Sequence, residues 1–314
     1  MEFIKINNQN ISKENMAELI RLICEKKEFQ NISNKLVEDE IIKLIKKSSK
    51  LTKLYATKEI KNILKSKELK QTIKEVRKVL HKLHGMFNEL NFEKREEIIE
   101  NVISEKLTKP EFEDKIKEIL EMHVSSKERI NDYKKIYEKI FSILPKKDIR
   151  TILDIGCGFN PLSIPLTDIN NVEYIASDIN SEELKLINKF KDKFKEEYNV
   201  DILTKQFNLL TLDSKNEKII KKQISNLTNK EVDLTIIFKV LEIIELNKSH
   251  RISENIIKNI PSKYLVVSFP TKTMTNKPMN FTNRGWMHLM LERLEYKYDT
   301  FEEENELFFV INKT

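Results

Sequence analysis

The residues Asp154-Ile155-Gly156-Cys157-Gly158-Phe159-Asn160-Pro161 close an apolar run with an acid and then turn on two glycines. Glycines in such a turn let the backbone approach a ligand and take angles closed to other residues. The dinucleotide fingerprint Gly-x-Gly-x-x-Gly is incomplete, because Pro161 stands where the third glycine would be. The turn therefore suits a cofactor without a pyrophosphate. A second acid, Asp178, lies 24 residues on, in Ser177-Asp178-Ile179-Asn180 at the end of the next apolar run. An acid there can bond both hydroxyls of a ribose. The two features in register fit S-adenosylmethionine, an adenosine carrying an amino acid instead of phosphates. The competing reading is an ordinary turn followed by a helix-capping Asp.

Three further run ends carry candidate groups. In Phe207-Asn208-Leu209 the amide can bond an adenine while Leu209 packs on its ring. Lys239 follows the apolar Val232–Phe238, and a Lys at the carboxyl end of a buried strand is costly unless paired or solvated. Ser268, Phe269 and Lys272 offer positioning groups at the end of Tyr264–Phe269, and Phe269 and Trp286 are aromatics able to stack on an extruded base, although a core role suits Phe269 equally.

Other chemistries are excluded by what is missing. Cys24 and Cys157 are too few for a disulfide scaffold or a four-cysteine zinc site. Neither follows a proline as a cytosine-C5 nucleophile would, so Cys157 reads as packing. No Asn/Asp-Pro-Pro-Tyr follows the fourth strand, which disfavours amino-group methylation. His81 and His84 share a helix face but have no third ligand, so no metal is expected. No apolar run reaches 18 residues and no leader-like segment opens the chain, so a soluble, cytoplasmic protein is expected.

These groups must be positioned by two kinds of structure. Of the four glycines in 314 residues, only Gly85 precedes residue 150, and that region reads as successive helices. Leu69, Ile73, Val76, Leu80, Leu83 and Phe87 form one helical stripe, with Lys70, Lys74, Arg77 and Lys78 opposite. Thr108 with Glu111, and Ser125 with Glu128, have capping-box spacing, the second starting a helix that should run to Leu144 before Pro145. Residues 41–90 carry 14 basic and 4 acidic side chains, in a chain of net charge +6, which marks Lys70, Lys74 and Arg77 as candidate RNA contacts or a solvated face. After Pro145 apolar runs at 151–155, 172–177, 202–207, 232–238 and 264–269 alternate with helical stretches at 180–198, 216–227 and 248–260, and 294–301 with 307–312 reads as a hairpin. The expected architecture is an α/β domain at 148–314, with a mostly parallel Rossmann-like sheet, preceded by an all-α domain at 1–147.

The segments at 154–162, Ile-Phe-Lys-Val-Leu-Glu-Ile-Ile-Glu at 237–245, Val-Ser-Phe-Pro-Thr-Lys at 267–272 and His-Val-Ser-Ser-Lys-Glu-Arg at 123–129 resemble the aminoglycoside-resistance 16S rRNA guanine-N7 methyltransferases. The resemblance implies a class I S-adenosylmethionine-dependent methyltransferase with a seven-stranded sheet. It also implies a helical domain that docks on the small ribosomal subunit. A monomer is expected, with neither metal nor membrane as partner. It assigns Arg129 to the methionine carboxylate, with His123 nearby, and Asp178 to the ribose. Asn208 stands where the family usually has Asp, and Lys272 where relatives often have Arg. Lys239 matches a functionally important lysine, and Glu306 a C-terminal acid near the target base. Residues 273–292 depart from the pattern. Beside this reading stand a methyltransferase of another RNA, such as tRNA, and a non-catalytic RNA-binding or ribosome-assembly protein on the same fold.

Overall fold

A computed structural model describes residues 3–26, 29, 34–84, 92–209, 217–245, 250–272, 278–279 and 282–314. Its contacts divide it into two compact units, Met1–Asn91 and Phe92–Thr314. The division therefore falls well before the expected boundary at residue 147. Pro145 ends a helix, but α5 (Phe92–Ser104), α6 (Lys109–Leu120), α7 (Val124–Lys127) and α8 (Tyr133–Ile143) pack within the second unit, against the elements that follow the first strand and its neighbours.

The first unit is not all-α. It opens with a hairpin of β1 (Phe3–Ile6) and β2 (Gln9–Ser12). Asn7 and Asn8 connect them at φ 47 and 62, and two central residues at positive φ make the tight turn that matches strand twist. Then come α1 (Lys13–Cys24), α2 (Asn34–Lys46), α3 (Ser49–Thr57) and α4 (Lys67–His84). Their apolar faces bury Ile6, Ile11, Leu19, Ile41, Tyr55, Val76 and Leu80 in one core. Lys70 and Lys74 are exposed on α4, but Arg77 is not a surface cation. Its guanidinium donates to the carbonyls of Leu22 and Ile23, 2.6 and 3.0 Å away, satisfying the last turn of α1. Phe87 and the side chains of His81 and His84 lie outside the described residues.

In the second unit seven strands form one sheet: β3 (Thr151–Ile155), β4 (Val172–Asp178), β5 (Val200–Gln206), β6 (Val232–Phe238), β7 (Ser262–Pro270), β8 (Lys297–Glu303) and β9 (Glu306–Asn312). The order is β5-β4-β3-β6-β7-β9-β8, with the first five parallel and β9 antiparallel to both neighbours. Central strands are apolar on both faces because helices cover both. The chain leaves β3 towards β4 on one side and β6 on the other, so a crevice opens at their carboxyl ends. The expected helix from Ser125 to Leu144 is interrupted: α7 stops at Lys127, turns carry the chain to Asp132, and α8 starts at Tyr133. That break turns Arg129 inward. The Thr108–Glu111 capping box is present. Among the described residues no helix is long and apolar enough to cross a membrane, and no group of three or more His, Cys, Asp or Glu could hold a metal.

Candidate active site

The glycine turn sits at the carboxyl end of β3, with Gly156 at φ +69 and Gly158 at φ +48. A Cβ on Gly156 would lie 2.6 Å from Val240 Cγ2, and one on Gly158 would lie 2.6 Å from the His123 ring. The turn is pinned to β4: Gly156 N and Cys157 N donate to Ser177 O, and Gly158 N donates to Asp178 Oδ2 at 3.0 Å. Asn180 N donates to Asp178 Oδ1 at 2.9 Å. Burial raises the Asp178 pKa, against these backbone bonds. A carboxylate accepts about four hydrogen bonds; with the Ile179 N–H also acting on it, Asp178 keeps accepting capacity for a hydroxyl. Ile179 beside it is half-buried, as is Asn208 after β5, while Leu209 is buried. A side-chain-free turn, with an acid of spare accepting capacity, fits an adenosine-bearing cofactor.

Asp154 points elsewhere. Its Oδ2 accepts from Asn160 Nδ2 and Tyr174 OH, both at 2.7 Å, and Asn160 Nδ2 also lies 3.1 Å from Tyr137 OH. Burial holds its pKa at about 6. Through Asn160 and Tyr174 this acid braces β3, β4 and α8 beneath the turn, and Pro161 is buried too. Cys157 is buried and its thiol is pushed well above the ordinary range, as packing requires.

His123 also supports the turn from within. Its ring is 2% exposed, packs on Gly158, and has Nδ1 3.3 Å from Ser126 Oγ. Its Nε2 is 3.9 Å from Glu183 Oε2, and Arg95 Nη1 is 3.3 Å from Glu183 Oε1. Burial, with the charges of Arg129 and Arg95, drives the imidazole pKa down to about 3, so it stays neutral. Glu183, on α9 (Ser181–Asn188), is pushed up to about 8 by burial and the Asp178 charge, which its pairing with Arg95 does not offset. The folded chain therefore holds a proton on Glu183 between pH 4.5 and 8 that the unfolded chain releases. The associated stability is complete below pH 4.5 and is lost as pH rises through 8. His123 acts oppositely and only below 6.5. We expect urea midpoints, read from the single Trp286, to fall between pH 6.5 and 8, and Glu183→Gln to flatten that fall. An unchanged slope in the variant would show that Glu183 is ionised throughout.

A second buried cluster lies across the crevice. Arg129, 4% exposed, pairs bidentately with Glu306, 3% exposed: Nε to Oε2 and Nη2 to Oε1, both 2.8 Å. Lys239 Nζ is 3.2 Å from Glu306 Oε2 and also pairs with Glu128, and Ser268 Oγ donates to Glu306 Oε1. Lys239 is at φ +58, a conformation costing a non-glycine residue about 1–2 kcal/mol, and its N–H donates to Ser268 O. Strain of this kind gathers at functional sites. The Phe238 ring lies 4.8 Å from the Arg129 guanidinium carbon. Burial would raise the Glu306 pKa, but Arg129 and Lys239 hold it below the ordinary carboxylate range. The structure thus gives Arg129 a carboxylate partner within the chain, and engages both oxygens of Glu306 within this cluster.

The two aromatics weighed as base-stacking groups are both engaged within the chain. Phe269 is fully buried, edge-on to Phe309 and Trp286, and belongs to the core. Trp286, on the helix Gly285–Arg293, has one face stacked on His250 at 3.9 Å and 6°. A base stacking on that face would have to displace His250. Ser268 is buried and bonded within the Glu306 cluster. Lys272 is half-buried and bridges Pro278. Next to it Arg284 pairs with Glu242 at 2.8 Å and donates to Pro270 O at 2.7 Å. Arg95 and Glu183 escaped the sequence reading because each sits in a charged stretch that looks solvated, Glu128 was read only as a capping-box acid, and Arg284 stands alone among uncharged neighbours. Only the burial of partners distant in sequence distinguishes them.

An open α/β sheet of this order, with a glycine turn after its first strand and an acid after its second, defines the class I methyltransferase-like fold. Residues 68–306 match the family described as Ribosomal RNA methyltransferase (FmrO), and the chain belongs to that family. A 16S rRNA (guanine(1405)-N(7))-methyltransferase of Proteus mirabilis is 27% identical over 261 residues, 78% of this chain and 85% of the relative. One of the same description from Frankia casuarinae is 22% identical over 197 residues, 62% of each. The solved structure of the 16S rRNA methylase RmtB shares the fold at TM-score 0.62 and 20% identity, covering 96% of this chain and all of the other. The structure of the 16S rRNA methyltransferase RmtF in complex with S-adenosyl-L-homocysteine does so at TM-score 0.62 and 17% identity, with the same coverage.

Proposed function

We propose that the chain transfers a methyl group from S-adenosylmethionine to N7 of a guanine in the 16S rRNA of the small ribosomal subunit, in the cytoplasm. The observation that supports this best is the convergence, at the carboxyl ends of β3, β4, β6 and β7, of the glycine turn, Asp178 and the Arg129–Glu306–Lys239 cluster, in a chain of this family. Asp178 would hold the ribose, Asn208 and Leu209 the adenine, and Arg129 the carboxylate. When bound, the cofactor supplies an electrophilic methyl on a positively charged sulfur. Lys272, half-buried just after β7, would meet a phosphodiester of the substrate. The exposed Lys70 and Lys74 of α4 add to the basic surface that raises the local concentration of RNA.

Guanine N7 has an in-plane lone pair at neutral pH and attacks without losing a proton. The protein therefore needs no general base; it needs an extruded base aligned with the methyl group. The site agrees: His123 is buried against Gly158 beneath the turn, and the strand ends carry no histidine. Labelled cofactor with intact small subunits, naked rRNA or tRNA, followed by mass mapping, tests the proposal. We expect one guanosine in the small subunit to become cleavable by borohydride and aniline. Single-turnover rates should stay nearly flat from about pH 6.5 to 9, because no essential group need titrate there. A methyl on an exocyclic amine or ribose oxygen, or a rate rising tenfold per pH unit, overturns the N7 assignment. Methylation of tRNA in place of the subunit overturns the substrate.

A further inference from the structure

We infer that Glu306 is a positioning residue that orients Arg129 towards the carboxylate of the cofactor's amino-acid end, and that it does not face the target base. This rests on the methyltransferase reading. The carboxylate of Glu306 is engaged at both oxygens. Oε1 accepts from Arg129 Nη2 and Ser268 Oγ, and Oε2 accepts from Arg129 Nε and lies in an ion pair 3.2 Å from Lys239 Nζ. A carboxylate this committed, and buried, has nothing left to offer a charge forming on a purine.

What it does instead is fix a plane. Two parallel bonds at 2.8 Å hold the Nε edge of the guanidinium, and the Phe238 ring lies across one face. Arginine carries five N–H donors. Glu306 takes two, which leaves donors for a second carboxylate in the same plane. A guanidinium already held in one orientation loses little freedom when that carboxylate arrives. The break between α7 and α8 supplies Arg129, the hairpin of β8 and β9 supplies Glu306, and β6 supplies Lys239. The orientation of Arg129 is thus set by elements remote in sequence.

Two ligands separate this role from a structural one. S-adenosylhomocysteine carries the amino-acid end; 5′-methylthioadenosine has the same nucleoside and no carboxylate. In Glu306→Gln an N–H replaces one accepting oxygen, and the parallel pairing with Arg129 is broken. By calorimetry on the full chain we expect the Kd for S-adenosylhomocysteine to rise about tenfold, and that for methylthioadenosine to change less than about twofold. In an Arg129→Lys background Glu306→Gln should add less than about twofold, because two residues acting as one unit are not additive. Equal weakening of both ligands, full additivity, or an unchanged Kd overturns the inference. Should Glu306→Gln fail to fold, Ser268→Ala decides. It removes one donor to Glu306 and keeps the ion pair, with an expected rise of about two- to threefold, again confined to the carboxylate-bearing ligand. Loss of that selectivity in Ser268→Ala also overturns it. A wild-type chain that binds neither ligand refutes the methyltransferase reading itself.

Discussion

Gly158→Ala is expected to abolish measurable S-adenosylhomocysteine binding and to destabilise the second unit. The new methyl would lie 2.6 Å from His123 Cε1 and 2.7 Å from Nε2, inside contact distance. The ring has no room to retreat. Phe159 lies 5.6 Å away between centroids, Ser126 caps Nδ1, and Glu183 stands behind Nε2. Overpacking of this kind costs about 1–3 kcal/mol. Holding an alanine at φ +48 adds about 1–2 kcal/mol. The chain can relieve both only by lifting the turn, which breaks the bond from Gly158 N to Asp178 and displaces the acid meant for the ribose. Trp286 is the single tryptophan and belongs to the second unit, so its fluorescence reports this loss without contribution from the first. Adding His123→Ala to Gly158→Ala removes the clash but not the backbone strain, so it should restore part of the stability and part of the binding. A Gly158→Ala chain that binds as the wild type does would show that the turn is not the cofactor cradle.

The strands around that turn were legible because parallel strands covered on both faces must be nearly all apolar, and Thr151–Ile155, Val232–Phe238 and Tyr264–Phe269 are. The hairpin β1–β2 was not, because Asn-Asn is a weaker turn signal than Asn-Gly and the strands have only four residues each. The boundary near Pro145 was misplaced for a general reason. The apolar stripe of an amphipathic helix shows that the helix packs, not what it packs on, and α5 to α8 pack within the unit that holds the sheet.

The site was legible in its glycines and in Asp178, whose roles depend on the local backbone. It was not legible wherever a charge is buried by distant partners. Glu183 follows Ser181-Glu182 and reads as an ordinary helix-start acid, favourable to the helix dipole. Arg95 lies in Glu-Lys-Arg-Glu-Glu, indistinguishable from a solvated face, yet is 1% exposed. Arg77 shows the reverse error: a cation on a basic stripe whose guanidinium is spent on the carbonyls of its own unit.

Arg129→Met is expected to cost about 3 kcal/mol of stability, because it strips two charge-assisted bonds from a carboxylate that stays buried. Lys239 and Ser268 remain near Glu306, which keeps the cost at the lower end of what breaking a buried ion pair produces. The sign of the pH dependence provides the sharper test. In the wild type Glu306 has a pKa below 4.5, so its contribution is present above 4.5 and is lost as pH falls through the folded value. Without Arg129 the effect of burial wins and the pKa rises above 4.5. Its contribution is then full below 4.5 and is lost as pH rises, so the deficit of Arg129→Met should shrink on acidification. Replacing both partners, Arg129→Met with Glu306→Met, removes the unpaired charge and should recover most of the loss, since apolar side chains of similar size can fill a buried pair's place. Lys239 keeps Glu128 as a partner in that double variant, on the exposed side of the cluster. Denaturant midpoints by Trp286 fluorescence at several pH values measure all three chains. A deficit in Arg129→Met that grows as pH falls, or a double variant less stable than the single one, would mean that burial is not the dominant force on Glu306.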